Sequence, residues 1–152
     1  YYLKILTENP IDLTLVLMGK SVIDIPDHPN IRYIGFVSDQ EKFDGLSGAE
    51  FLVIPSQYES LSMVSLEAWA IGKPVVANGK TEVLQGQCRR SNAGLWYQNY
   101  EEFNEIIQLL NRDSRLKSEL GQNGIQFFKN HYAWNVIEDK YLKIFKQLDN
   151  SN

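Results

Sequence analysis

The sequence contains one cysteine, Cys88, so the chain cannot form an internal disulfide. The single cysteine says nothing about the compartment of the protein, although it is compatible with the cytosol. No apolar run reaches the roughly 20 residues that a transmembrane helix needs. Histidine is also scarce: His28 and His131 lie far apart with no partners at ligand spacing, so the sequence predicts no metal site. No Gly-x-Gly-x-x-Gly follows a predicted strand, which argues against a free-standing dinucleotide-binding domain.

Basic charge is not in excess either. The formal net charge is −4, and a nucleic-acid partner is therefore not expected, because such proteins usually present a clustered basic face. The 152 residues are 43% apolar and 22% charged, which is typical of one soluble globular domain spanning residues 1–152. The chain has no signal peptide but begins without methionine, which leaves open where the native N-terminus lies.

Apolar runs and helical periodicities alternate along the chain. The predicted strands occupy residues 13–18, 31–34, 51–55, 74–77 and 94–97, the first of them buried. The predicted helices occupy residues 1–8, 39–47, 62–71, 81–85, 99–110, 113–130 and 134–148. The apolar stripes of the last three helices are expected to be packing faces. This order predicts an α/β fold: a Rossmann-like parallel sheet with helices on both faces and a helical C-terminal tail.

The central feature is the stretch 56–76, in which a helix over residues 62–71 has almost no polar side. Such a helix is normally buried, yet Glu67 lies in its middle. A desolvated carboxylate needs a partner, and a nearby Lys, Arg or backbone amide is one interpretation, a ligand the other. Glu59 lies just before the helix, at the carboxyl end of the preceding strand, where ligands bind in doubly wound sheets.

The spacing of this stretch resembles a known motif. The stretch contains Pro55-Ser56, then Glu59 after two residues, then Glu67-Ala68 after seven more, and it closes with Gly72, Pro74 and two valines. This pattern resembles the hallmark of the retaining glycosyltransferases of the large group-1 family, family 4. The resemblance covers nearly the whole chain. It implies the donor-binding C-terminal half of a GT-B fold, with the first strand and the acceptor-binding N-terminal domain outside this sequence.

The resemblance also implies roles for individual residues. Glu59 would contact the transferred sugar and stabilise the charge that develops on it, as the catalytic residue. Glu67 would bind the ribose hydroxyls, and Gly35 and Val37 would lie along the base. The turn that begins the helix offers backbone amides to the diphosphate. Its residues are Ser60, Leu61, Ser62 and Met63.

The implied reaction uses no cofactor and no metal. In the family, a hexose passes from a nucleotide-diphosphate sugar to an acceptor by front-face attack, and the leaving diphosphate takes up the acceptor proton. Electrostatic positioning then supplies most of the rate. The expected partners are the donor and an acceptor held by the other domain. Lipid, polysaccharide and small-molecule acceptors all stay open. We expect a cytoplasmic protein, with peripheral membrane contact left open.

The sequence departs from the family pattern at two places. Ser62 replaces a common glycine and Leu61 a common aromatic, although the Ser62 hydroxyl could cap the helix. A Gly-Arg…Lys-Gly segment, whose cations grip the diphosphate in the family, is not in this sequence, so the chain alone is expected to be inactive. Two alternatives remain: another GT-B enzyme such as a sugar-nucleotide epimerase, or a degenerate domain that serves as an interaction module.

Overall fold

The computed structural model describes residues 1–149, so residues 150–152 of the predicted domain lie outside the described part. The strands are β1 (Leu15–Met18), β2 (Ile31–Gly35), β3 (Leu52–Ile54), β4 (Val75–Asn78) and β5 (Gly94–Tyr97). The helices are α1 (Tyr2–Glu8), α2 (Asp39–Gly48), α3 (Met63–Ala70), α4 (Glu82–Ser91), α5 (Tyr100–Arg112), α6 (Ser114–His131) and α7 (Trp134–Asp149). The predicted alternation of strands and helices is confirmed.

Every strand pairing is parallel, as the sequence predicts. Strands β3, β4 and β5 form one group in that order, with α3 and α4 as the crossovers that parallel neighbours require. Strands β1 and β2 form a second group. Among residues 1–149 no backbone hydrogen bond of a sheet joins the two groups. The carboxyl ends of β3 and β4 therefore lie at the same edge of their sheet, and this edge bears the predicted site.

Strand β4 is buried on both faces, and successive side chains enter different cores. Val75 and Ala77 belong to a cluster with α3 and α4, whereas Val76 belongs to a cluster with α1 and α5. This alternation follows from the two-residue period of a strand. Because every residue of β4 is buried, it is the centre of the fold, and helices cover both faces of its sheet.

Helix α6 lies unusually close to α3, the helix that follows the predicted site. A Cβ added at Gly121 would lie 2.2 Å from the carbonyl oxygen of Gly72, and one at Gly124 would lie 2.7 Å from a ring atom of Trp69. Trp69 is fully buried, and its indole Nε1 donates to the carbonyl of Ala93 at 3.0 Å. The two glycines of α6 therefore allow this helix to pack directly against the end of α3.

Three elements differ from the expectations. Helix α4 begins at Glu82 and runs to Ser91, beyond the predicted end at residue 85. Strand β1 is half-exposed rather than buried, with Val16 45% exposed, because its group has only two strands. Helix α7 has no buried residue, and the apolar face that was predicted to pack is exposed. On that face Tyr141 and Phe145 are 60% and 56% exposed, because no described element covers it.

Candidate functional site

The site begins where β3 ends and the chain turns into α3. Glu59 is half-buried in this connection, and within residues 1–149 its carboxylate has no hydrogen bond or ion pair. Ser60 is exposed, Leu61 is 41% exposed and Met63 is 60% exposed. Helix α3 starts at Met63, so the backbone amides of its first turn lack intrahelical partners. The structure therefore places the predicted turn at an open helix N-terminus, with a free carboxylate beside it.

Ser62 occupies the N-cap of α3, but its hydroxyl does not cap the helix, which corrects the expectation. The residue is 2% exposed, and its Oγ has no hydrogen-bond partner among the described residues. The backbone angle is not the cause, because Asp113 has ψ 89° and its side chain still accepts from the Leu116 amide at the start of α6, whereas Ser62 has ψ 96°. The first-turn amides of α3 therefore have no side-chain cap.

The start of the loop is held by residues from the neighbouring strand. Asn78, the last residue of β4, donates through Nδ2 to the Pro55 carbonyl at 3.0 Å. Thr81 donates through Oγ1 to the Ser56 carbonyl at 3.1 Å. Both side chains are more than nine-tenths buried. Sequence reasoning did not select Asn78 or Thr81, although polar residues directly after an apolar strand were the available signal. They fix the first residues of the loop that leads to Glu59.

Glu67 lies one turn into α3, and the structure gives it a partner on α2. Lys42 Nζ donates to Glu67 Oε1 at 2.9 Å, and the two side chains are only 28% and 23% exposed. Lys42 also contacts Asp39 Oδ1 at 3.1 Å, on its own helix. The bond to Glu67, followed by the bond to Asp39, raises the pKa of Lys42 above its ordinary value. A buried glutamate was expected to pair either with a nearby basic group or with a ligand, and the structure shows the basic group, Lys42. The second oxygen, Glu67 Oε2, has no partner within residues 1–149.

Gly35 ends β2, and Val37 lies in the turn that connects it to α2. Gly35 has φ +72°, a conformation that favours glycine, and its carbonyl accepts from the Gly19 amide at 2.7 Å. Ser38 then starts α2 with a complete capping box, in which Ser38 Oγ accepts from the Glu41 amide. Because Lys42 lies one turn into α2, its bond to Glu67 brings this turn towards α3.

No metal-like cluster of three or more His, Cys, Asp or Glu side chains occurs within the described residues 1–149. Two clefts, of about 570 and 400 Å³, lie elsewhere. The first is formed by α7, and the second by α4, α6 and α7, and none of the predicted site residues lines either. In the part of the chain that the structure describes, no helix is both long and apolar enough to cross a membrane.

Comparison with known proteins places this geometry in a family. The sequence model for "Glycosyl transferases group 1" matches residues 6–127. A lipopolysaccharide core biosynthesis glycosyltransferase, LpsE of Rhizobium meliloti, is 28% identical over 129 residues, 84% of this chain and 37% of that protein. An α-1,3-N-acetylgalactosaminyltransferase of Campylobacter jejuni, named for a diphospho-undecaprenol acceptor, is 32% identical over 125 residues, 78% of this chain and 31% of that protein. The chain thus spans about a third of the length of these curated relatives.

Solved structures share the fold. Anabaena HepE in complex with UDP aligns with a TM-score of 0.79 over 95% of this chain and 43% of that one, at 17% identity, which shows the fold alone. A sucrose-phosphate synthase from Thermosynechococcus elongatus aligns with a TM-score of 0.70 at 26% identity, over 81% of this chain and 31% of that one. The fold class predicted from the sequence, the C-terminal half of a GT-B enzyme, is confirmed. The chain belongs to the group 1 glycosyltransferase family.

Proposed function

We propose that this chain is the donor-binding half of a retaining glycosyltransferase that transfers a hexose from a nucleotide-diphosphate sugar. The observation that carries the proposal is the pair Glu59 and Glu67, set before and within α3 at the carboxyl edge of a parallel sheet. Ligands bind at this edge in doubly wound folds. The complexes of HepE with UDP and with UDP-glucose support a nucleotide sugar as the ligand class.

Each part of the donor meets a matching chemical group. The free amides at the start of α3 suit the diphosphate, because a helix N-terminus attracts anions. Glu67 Oε2 suits the ribose hydroxyls, and the Gly35–Val37 turn suits the edge of the base. Glu59, which has no partner within residues 1–149, suits the hydroxyls of the sugar and the positive charge that develops on it.

In the proposed reaction, the bond between the anomeric carbon and the phosphate oxygen breaks. The acceptor oxygen forms its new bond to that carbon on the same face, and its proton passes to the departing phosphate. The residues of this chain bind, orient and stabilise charge, and none of them is required to act as a general acid. We expect the reaction to need neither a metal nor another cofactor.

The acceptor and the location of the protein are further parts of the proposal. The names of the two curated relatives point to glycans under construction, one in a lipopolysaccharide core and one linked to a lipid diphosphate. We place the acceptor in a separate N-terminal domain and the protein in the cytoplasm. Contact with a membrane surface then follows if the acceptor is lipid-linked. Only the second of these names gives a sugar, N-acetylgalactosamine, so the hexose and the base are the quantities to measure.

One observation favours a second candidate, a degenerate domain that serves as an interaction module. Glu67 is already paired with Lys42, and a carboxylate used only for this ion pair would have no role towards a ligand. The two candidates differ in nucleotide binding, because the interaction module should bind none. The alternative of a sugar-nucleotide epimerase gains no support, since within residues 1–149 neither His28 nor His131 contacts either glutamate.

The test is calorimetric titration with UDP, GDP and ADP at up to millimolar concentration. We expect one nucleotide to bind saturably, and Glu67→Gln to abolish that binding. Glu105→Gln, at an exposed position in the middle of α5, is the matched control and should bind as the wild type does. In a transfer assay on the full-length enzyme with the same sugar nucleotide, Glu59→Gln should lower the rate, and the product should keep the anomeric configuration of the donor. An inverted product, or undiminished transfer by both glutamine variants, would contradict the proposal.

A further inference from the structure

An ion pair joins α2 to α3 at the carboxylate proposed for the ribose. Lys42 Nζ lies 2.9 Å from Glu67 Oε1 across 25 residues of sequence, and both side chains are about three-quarters buried. Partly buried ion pairs lose hydration, so their net contribution to stability is often small. The small expected gain in stability leaves room for a second role, in which the carboxylate itself binds a ligand.

The carboxylate keeps capacity for a ligand although Lys42 occupies one of its oxygens. An ionised carboxylate offers about four lone-pair sites on two oxygens. Lys42 uses one site on Oε1, and Glu67 Oε2 has no partner among residues 1–149 and is not sealed from solvent. Two vicinal hydroxyls could therefore be accepted while the lysine bond persists. The lysine removes rotational freedom from the carboxylate before the ligand arrives, and such pre-organisation lowers the entropic cost of binding.

The position of Lys42 in α2 connects it with the turn that is proposed to bind the base. It lies one turn into α2, and the start of that helix is fixed by the capping box of Ser38 and Glu41. The turn containing Gly35 and Val37 immediately precedes this box. A bond from this turn of α2 to α3 therefore sets the distance between the turn proposed for the base and the carboxylate proposed for the ribose.

We propose that Lys42 is a positioning residue of the donor site. It holds Glu67 Oε1 so that the carboxylate is pre-oriented towards the ribose hydroxyls of the nucleotide. This inference rests on the proposed function and adds to it a residue that lies outside the glutamate motif. The lysine acts through Glu67 and makes no contact of its own with the reacting atoms.

The test compares UDP with 2′-deoxy-UDP on the wild-type protein, Lys42→Met and Lys42→Arg. We expect Lys42→Met to weaken UDP binding about tenfold, the factor that corresponds to about 1.4 kcal/mol. Binding of 2′-deoxy-UDP, which lacks one of the hydroxyls, should change much less. Lys42→Arg keeps the charge and a donor, so it should recover part of the lost UDP affinity. If guanosine or adenosine nucleotides bind instead, the corresponding 2′-deoxy diphosphate is used.

The matched control is Lys117→Met, which breaks the ion pair between Lys117 of α6 and Glu50. Glu50 precedes β3 and lies at the opposite edge of the sheet, so this variant should leave nucleotide binding unchanged. Equal losses for UDP and 2′-deoxy-UDP in Lys42→Met would indicate general loosening and overturn the inference, as would wild-type affinity. If the wild type binds no nucleotide, or Glu67→Gln binds normally, the proposed function fails and the inference falls with it.

Discussion

The close approach of α6 to α3 predicts that Gly121→Ala strongly destabilises the protein. The new Cβ would lie 2.2 Å from the carbonyl oxygen of Gly72, whereas non-bonded heavy atoms normally meet at roughly 3.5 Å. Because the obstacle is backbone, no side-chain rotation relieves it, and the two helices must separate by about 1 Å. A gap of that size forfeits roughly a quarter to a half of the dispersion attraction across the contact.

The magnitude follows from two opposing effects. Overpacking of a well-packed core costs about 1–3 kcal/mol, and an immovable backbone neighbour places Gly121→Ala near 3 kcal/mol. The higher helix propensity of alanine recovers about 1 kcal/mol. The expected net loss in the free energy of unfolding is therefore about 2 kcal/mol, which lowers the melting temperature by roughly 4–8 °C in a domain of this size.

Urea and thermal denaturation, followed by circular dichroism, measure this change. Gly48→Ala is the matched control, because Gly48 ends α2 with nothing within 4 Å of the added Cβ, and its stability should be unchanged or slightly higher. A Gly121→Ala protein as stable as the wild type would refute the inferred helix contact. Since α3 bears Glu67, we also expect weaker nucleotide binding in this variant.

Two further predictions concern α2 and the core. Ser38→Ala removes the N-cap of α2 and should lower the free energy of unfolding, measured in urea, by about 1 kcal/mol. Ser47→Ala, at an exposed position on the same helix, is the control and should lower it much less. Equal losses would show that the capping box contributes nothing. Burial raises the pKa of the Cys88 thiol to about 12. Iodoacetamide at pH 8 should therefore label Cys88 only after the protein unfolds. Labelling of the native protein would contradict the burial of this thiol. Because the pKa of Cys88 in the folded state lies above its ordinary value of 9.0, its contribution to stability is complete below pH 9 and is lost as the pH rises towards 12. Cys88→Ala should therefore flatten the alkaline limb of the stability curve, and an unchanged limb would exclude this cause.

The sequence alone determined the fold class and the main elements of the site. Buried strands and amphipathic helices have local periodicities, so the order of the elements was predictable, and each strand lies within two residues of its predicted bounds. The capping box of Ser38 and Glu41 was predictable for the same reason, since both residues belong to one turn. Glu59 was selected because it follows a strand end, Glu67 because it lies within an apolar helix, and both because their spacing resembles a family motif. Their roles towards a donor remain predictions.

Only the tertiary structure decided what these residues contact. Lys42 reaches Glu67 across 25 residues, and Asn78 holds the Pro55 carbonyl from a neighbouring strand. Such contacts depend on how elements pack, and no local periodicity encodes the distance between two helices. The same holds for the Ser62 hydroxyl, whose residue type favours an N-cap but which makes no cap hydrogen bond in this loop. Local pattern thus fixed the elements and the position of the carboxylates, and long-range packing fixed the environment in which those carboxylates act.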